Sequence, residues 1–224
     1  GFNYLLFYIA ELSVTSGLAA VIFSTILLMN MVNGAIFLKT PFDGRVIIGG
    51  ILGLSGIVLV FRPEITSYSL QNDGVVGVLY CLLATLLASL GNITSARNQR
   101  CGLPIVQTNA FGMGYGALAL YLVILLAGKP IAFDSSAVYV GSLLYLALFG
   151  SVIAFGCYLT LVGNIGADRA AYATLLFPIV ALLISTVWEG YLWTVSSAVG
   201  VGLILLGNLW MLNRDGHVSR RTGV

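Results

Sequence analysis

Seven stretches of this chain run apolar for about as long as a lipid bilayer is thick. They lie near Gly17–Leu38, Arg45–Phe61, Gly74–Ala96, Ile105–Gly128, Ala137–Val162, Ala167–Trp188 and Thr194–Leu212. About 20 residues of α-helix cross a hydrocarbon core of roughly 30 Å. The expected fold class is therefore all-α: a polytopic transmembrane helix bundle. An eighth apolar stretch, Phe2–Leu12, is too short to cross and reads as the last turns of a helix. The connections carry the breakers and the charge: 39–44, 62–64, 97–100, 128–130 and 163–166. None is long enough to hold a soluble domain.

Composition agrees with this reading. Only 8% of residues are charged and mean hydropathy is +1.02, whereas a soluble domain carries about 25% charged residues. The surface must face lipid or other helices. A net charge of +2 without a basic, aromatic-studded patch excludes nucleic acid as a partner. Cys81, Cys101 and Cys157 match no metal-site spacing and are expected to be buried thiols, since free cysteine behaves as a small hydrophobe. No metal or cofactor is expected. No basic segment or small-residue cleavage site accompanies the first apolar stretch, so it does not read as a signal peptide.

Let successive loops alternate sides of the membrane. One side then gathers Lys39, Arg45, Arg97, Arg100, Arg169, Arg214, Arg220 and Arg221; the other keeps Arg62 and Lys129. Lysine and arginine accumulate on the cytoplasmic side. The polar tail is accordingly expected in the cytoplasm, with the protein in a bacterial plasma (inner) membrane.

The chain also matches itself at an offset of 151 residues. Ala19-Ala20 falls on Ala170-Ala171, Gly49 on Gly200 and Gly56 on Gly207. An odd number of spans separates the two copies, so they would cross the membrane in opposite directions. Inverted repeats of this kind build secondary transporters, with the substrate site between the halves.

Particular residues carry a family resemblance. Asp168-Arg169-Ala170-Ala171-Tyr172, Pro178, Trp188-Glu189-Gly190, Gly200 and Gly207-Asn208, together with Ser16–Thr25, are ordered much as in the EamA family of the drug/metabolite transporter superfamily. The chain resembles that family from Phe2 to about Arg214. The resemblance implies two inverted five-helix repeats, of which eight helices would be present, the first partial. Residues 1–66 would hold the remainder of the first repeat, 67–213 the second, and 214–224 a cytoplasmic tail. On this expectation the first helices of the full bundle are missing. The family implies transport of amino acids or drug-like solutes, more often outward than inward.

Several side chains invite a role. Glu11 sits inside or at the end of a span. An ionisable residue within the bilayer costs several kcal/mol on helix-centre scales; Glu11 reads either as a substrate or proton-coupling carboxylate or as an interfacial group. Thr25, Asn30 and Asn33 share an arc of about 140° on one helix, as a pathway lining or as interhelical glue. Asn92 and Thr94 lie near a span end, where an interfacial reading is preferred. Tyr158 and Tyr172 stand on helices that the resemblance places beside the central cavity. They would bind substrate or belong to the aromatic belt, and for Tyr172 the belt is preferred. Pro178 predicts a bend, as a moving part or as fixed architecture. Gly49, Gly53 and Gly56, and Gly112 and Gly116, predict close helix packing. Trp188, Trp193 and Trp210 predict interfacial anchors.

The function expected from these readings is a secondary carrier of a small metabolite, with a proton or another ion for coupling and a homodimer as a further expectation. No ATP-binding loop motif is present. An intramembrane enzyme is disfavoured because the sole histidine, His217, lies in the tail. A channel is the alternative, and it would show neither saturation nor counterflow.

Overall fold

A computed structural model describes residues 1–14, 16–42, 44–62, 72–128, 133–188 and 193–212. Pro63, Glu64, Lys129, Glu189 and the tail with His217, Arg214, Arg220 and Arg221 lie outside the described residues, as do the side chains of Pro178 and Trp188.

All regular structure among the described residues is helical. The helices are α1 (Phe2–Ala10), α2 (Ser16–Ser24), α3 (Ile26–Leu38), α4 (Gly44–Val60), α5 (Asn72–Arg100), α6 (Ile105–Leu126), α7 (Ala137–Tyr145), a π-helical stretch (Leu146–Ala154), α8 (Phe155–Ile165), α9 (Ala167–Trp188) and α10 (Val195–Leu212). Each of the seven expected runs is helical. Among the described residues four spans are both long and apolar enough to cross a bilayer, Leu18–Leu38, Gly74–Arg100, Ile105–Leu126 and Ala137–Ile165, while Gly44–Val60 and Val195–Trp210 are shorter apolar helices. The protein is an integral membrane protein.

Three details depart from the sequence expectation. The first full span is interrupted at Thr25, whose hydroxyl donates to the Ile22 carbonyl at 2.6 Å while Ser24 donates to Ala20 at 2.7 Å. Such back-bonding competes with the helix ladder and bends it. Helix α5 continues through 97–100, which the charges had marked as a loop; Gly102, at φ +75°, provides the turn after it. The span Ala137–Ile165 is not uniformly α: nine residues adopt the wider π-helix, in which hydrogen bonds span five residues. None of those nine is buried.

Between lipid-embedded helices apolar burial supplies little drive, so close packing and polar contacts must assemble the bundle. Packing dominates between α4 and α10, which run antiparallel. A Cβ added to Gly56 would stand 2.5 Å from the Gly200 carbonyl oxygen, and one on Gly207 would stand 2.7 Å from that of Gly49. The contacts pair Gly49 with Gly207 and Gly56 with Gly200. The 151-residue offset converts each pair into the other. Around this seam Ile26, Leu27, Val46, Ile57, Tyr172 and Ile204 form the largest buried cluster. At the start of α10, Thr194 and Ser197 cap each other's backbone N–H groups at 3.1 and 3.2 Å.

The opposite extreme is α6, α7 and the π stretch, which bury no residue at all. Their apolar side chains are largely exposed. The two glycines expected to mark close packing on α6 differ in their neighbours. Among the described residues nothing lies within 4 Å of a Cβ at Gly112, while Gly116 meets the backbone of Gly1, just before α1. Two cysteines are corrected. Cys81 is buried, but Cys101 is exposed in the turn after α5 and Cys157 on the outer face of α8. Trp193 and Trp210 are 41% and 52% exposed.

Candidate functional site

A cavity of about 680 Å³ opens between the end of α3, the start of α4, the last turns of α5 and the α8–α9 corner. Local chain chemistry builds its walls. Helix α3 stops at Lys39, in the left-handed conformation at φ 53°, and the Thr40 N–H folds back to the Gly34 carbonyl at 3.2 Å. This is the usual way to satisfy carbonyls at a helix end. Arg100 donates to the Leu38 carbonyl at 3.0 Å and ties α5 to the same end. Gly166, at φ +91°, turns the chain from α8 into α9. A side chain there would be strained and would crowd the Asp168 carboxylate at 2.8 Å.

Arg45, Arg100 and Arg169 line this cavity from the ends of three separate helices, and Asp168 is the one acid among the described lining residues. The positive-side grouping read from the sequence thus brings these three arginines to one mouth. Asn30 lines the inner end and is wholly buried. Its Nδ2 donates to the Ala167 carbonyl at 2.9 Å, joining α3 to the first residue of α9. That bond fixes the amide orientation, and Oδ1 is left without a hydrogen-bond partner. An orphaned buried acceptor costs about 1–3 kcal/mol.

Beside Asn30 lies a network inside the bundle. Asn33 donates to Ser89 at 2.9 Å, and Asn92 donates to the Tyr158 hydroxyl at 3.0 Å. The same hydroxyl lies close to Asn30. Gln99 reaches the Leu159 carbonyl at 2.9 Å, and the absence of a side chain at Gly163 makes room for it.

The expected site residues therefore separate. Asn30, Asn33, Asn92 and Tyr158 come together where α3, α5 and α8 meet. Thr25 does not join them, because its hydroxyl is spent on its own helix. The interfacial reading of Asn92 is corrected: it is 6% exposed and lies two turns inside the end of α5. The aromatic-belt reading of Tyr172 is also corrected. Tyr172 is 2% exposed and its hydroxyl donates to the Val46 carbonyl; Gly49 leaves the space it occupies. Glu11 is exposed at the C-terminal end of α1, away from the cavity lining. Helix α9 runs through position 178, and the Pro178 side chain lies outside the described residues.

Ser89, Gln99 and Gly163 went unmarked in the sequence. A signal for two of them was present. Thr85, Ser89, Asn92, Ala96 and Gln99 recur at alternating steps of four and three. That is the spacing of one helix face, here polar or small inside an apolar span.

This geometry is a solute-sized opening that ends on amides within a lipid-embedded bundle. A family model described as the EamA-like transporter family matches residues 75–213. The chain belongs to this family.

Among its relatives is an uncharacterized transporter of Clostridium kluyveri, 24% identical over 192 residues, 85% of this chain and 61% of that one. YdfC of Bacillus subtilis, an uncharacterized transporter, is 26% identical over 93% of this chain and 66% of its own. YedA of Escherichia coli K12, an uncharacterized inner membrane transporter, is 27% identical over 78% and 54%. The chain spans less than two thirds of these relatives' lengths. A crystal structure of a protein superimposes with a TM-score of 0.76 over 93% of this chain and 71% of that one, at 16% identity. That match shows the fold. The family is one of transporters.

Proposed function

We propose that this EamA protein is a secondary carrier that exports a small metabolite, such as an amino acid or a drug-like solute, by alternating access. The observation that carries the reading is the cavity ending at Asn30. It opens on the arginine-rich face, expected in the cytoplasm together with the C-terminal tail, and stops at a buried polar network. A carrier loading from inside needs that arrangement: a wide entry, a closed floor and polar groups beyond it. The exchanged glycine contacts of α4 and α10 support two inverted halves, divided near residue 66, that rock about a shared seam.

The substrate's own gradient, a proton or another ion would supply the energy. Glu11 is the candidate proton carrier, and Asn30, Asn33, Asn92 and Tyr158 are the candidate pathway. Membership in a transporter family also favours a role without chemical turnover.

Reconstitution in liposomes tests the proposal. Preloaded unlabelled solute should drive transient accumulation of labelled solute, and the rate should saturate. Non-saturating flux without counterflow would establish a channel instead. Glu11→Gln should flatten the pH dependence of transport; an unchanged profile removes Glu11 from coupling.

A further inference from the structure

We infer that Asn30 and Tyr158 form a latch: when the cavity closes, the Tyr158 hydroxyl donates to Asn30 Oδ1 and pins α8 against α3. The inference rests on the carrier reading above and names the contact that holds its closed state.

Two unspent groups stand side by side at the inner end of the cavity. Asn30 is wholly buried, and its Oδ1 accepts no hydrogen bond. Its Nδ2 is committed to the Ala167 carbonyl at 2.9 Å, so the amide cannot flip without giving up that bond. What the oxygen lacks is a donor, and Tyr158 carries one. A tyrosine hydroxyl both accepts and donates. Here it accepts from Asn92 at 3.0 Å, and its own proton has no acceptor among the described residues. The hydroxyl lies beside Asn30 without bonding its Oδ1. Asn92, on α5, holds it there. Each group has what the other needs, and an unpaired polar atom in a dry interior is destabilising.

The helix faces show what the bond does. Tyr158 and Val162 are one turn apart on α8; Asn30 and Gly34 are one turn apart on α3. Residues four apart share a helix face. Asn30, Gly34 and Val162 all line the cavity, and both helices end at its mouth. Bringing Tyr158 onto Asn30 therefore carries Val162 toward Gly34 and narrows the cavity one turn nearer its opening. The single amide then joins three helices: α3, which bears it, α9 through Ala167 and α8 through Tyr158. The open cavity leaves Oδ1 unpaired and the closed cavity pairs it. A contact made in only one of two states is what biases the equilibrium between them.

Two rates read that equilibrium in the full chain in lipid nanodiscs, with Cys101→Ser and Cys157→Ser removing the exposed thiols. Ala96 lines the cavity from α5, and modification of Ala96→Cys by a water-soluble maleimide follows the open fraction. Leu38 and Asn164 line it from α3 and α8, and copper-catalysed disulfide formation between Leu38→Cys and Asn164→Cys follows the closed fraction. The ratio of the first rate to the second moves with the equilibrium wherever it lies. Tyr158→Phe keeps the ring and deletes the donor. It should raise the ratio about threefold, the factor that one interhelical hydrogen bond of average strength in membranes supplies. In an Asn30→Leu background, where the latch is already gone, Tyr158→Phe should change nothing further; Asn30→Ala repeats the cycle if the leucine variant does not fold. An unchanged ratio in Tyr158→Phe overturns the latch. So does a rise that persists without Asn30, which reports general loosening around the ring. Neither rate requires transport: a threefold shift without counterflow refutes the carrier reading alone, and counterflow with an unchanged ratio refutes the latch alone.

Discussion

Two helix crossings hold this bundle together by opposite means. Where α4 meets α10, glycines face glycines and backbone lies against backbone. Where α3 meets α5 and α9, amides and hydroxyls reach across: Asn30 to Ala167, Asn33 to Ser89. The first contact tolerates no added atom and offers no alternative pairing. The second is made of groups that exchange partners readily, including one acceptor with no partner. In a bundle without a hydrophobic drive between helices, the carrier proposed above would use the glycine seam as its fixed axis and the amide junction as the part that rearranges. That division is what alternating access requires.

The sharpest way to break the comparison is to add one methyl group to the seam. Gly56→Ala would place Cβ against the backbone carbonyl of Gly200, so a helix must shift. We expect a loss of about 3 kcal/mol, at the upper end of ordinary overpacking, measured as unfolding in mixed detergent micelles. A change below about 0.5 kcal/mol would mean the two helices slide easily and are no axis. Tyr172→Phe comes next. It removes the hydroxyl that donates to the Val46 carbonyl beside the seam. The expected loss is about 1 kcal/mol, with substrate affinity unchanged, since Tyr172 does not line the cavity.

Much of this division was legible in the sequence, for physical reasons. A transmembrane helix must carry about 20 apolar residues, so spans announce themselves by length, and Gly49, Gly53 and Gly56 marked the seam by spacing. What stayed hidden depended on partners distant in the chain. Tyr172 looked interfacial because Asp168 and Arg169 lie one turn away, yet α4 covers it. Asn92 looked interfacial because α5 was expected to end near Ala96; the helix runs on to Arg100. Gly112 and Gly116 have the same spacing as half of the seam, yet among the described residues only Gly116 meets a neighbouring backbone, that of Gly1. A glycine stripe permits close approach, and a partner helix on that face must still be supplied by topology.

Gly91→Ala is the control that sharpens this last point. Gly91 lies on α5 with open space where a Cβ would go. Alanine should stabilise by at most about 1 kcal/mol through helix propensity, the reverse of its effect at Gly56. Destabilisation at both positions in the same unfolding assay would mean that intolerance of a methyl group is general along these spans and not a property of the seam.

The smallest expected effect is the most informative about the amide junction. Asn92→Ala and Tyr158→Phe remove the two ends of one hydrogen bond, and their double-mutant cycle isolates that bond. Interhelical hydrogen bonds in membranes average about 0.6 kcal/mol in such cycles, because the freed groups find other partners. A coupling near that value in stability, with a larger one in transport rate, fits a junction that rearranges during the cycle. Coupling above about 2 kcal/mol in stability with none in transport rate would make the junction a second fixed clamp. The distinction between seam and floor would then disappear, and the moving parts would have to be sought elsewhere, first at the unburied π-helical stretch Leu146–Ala154.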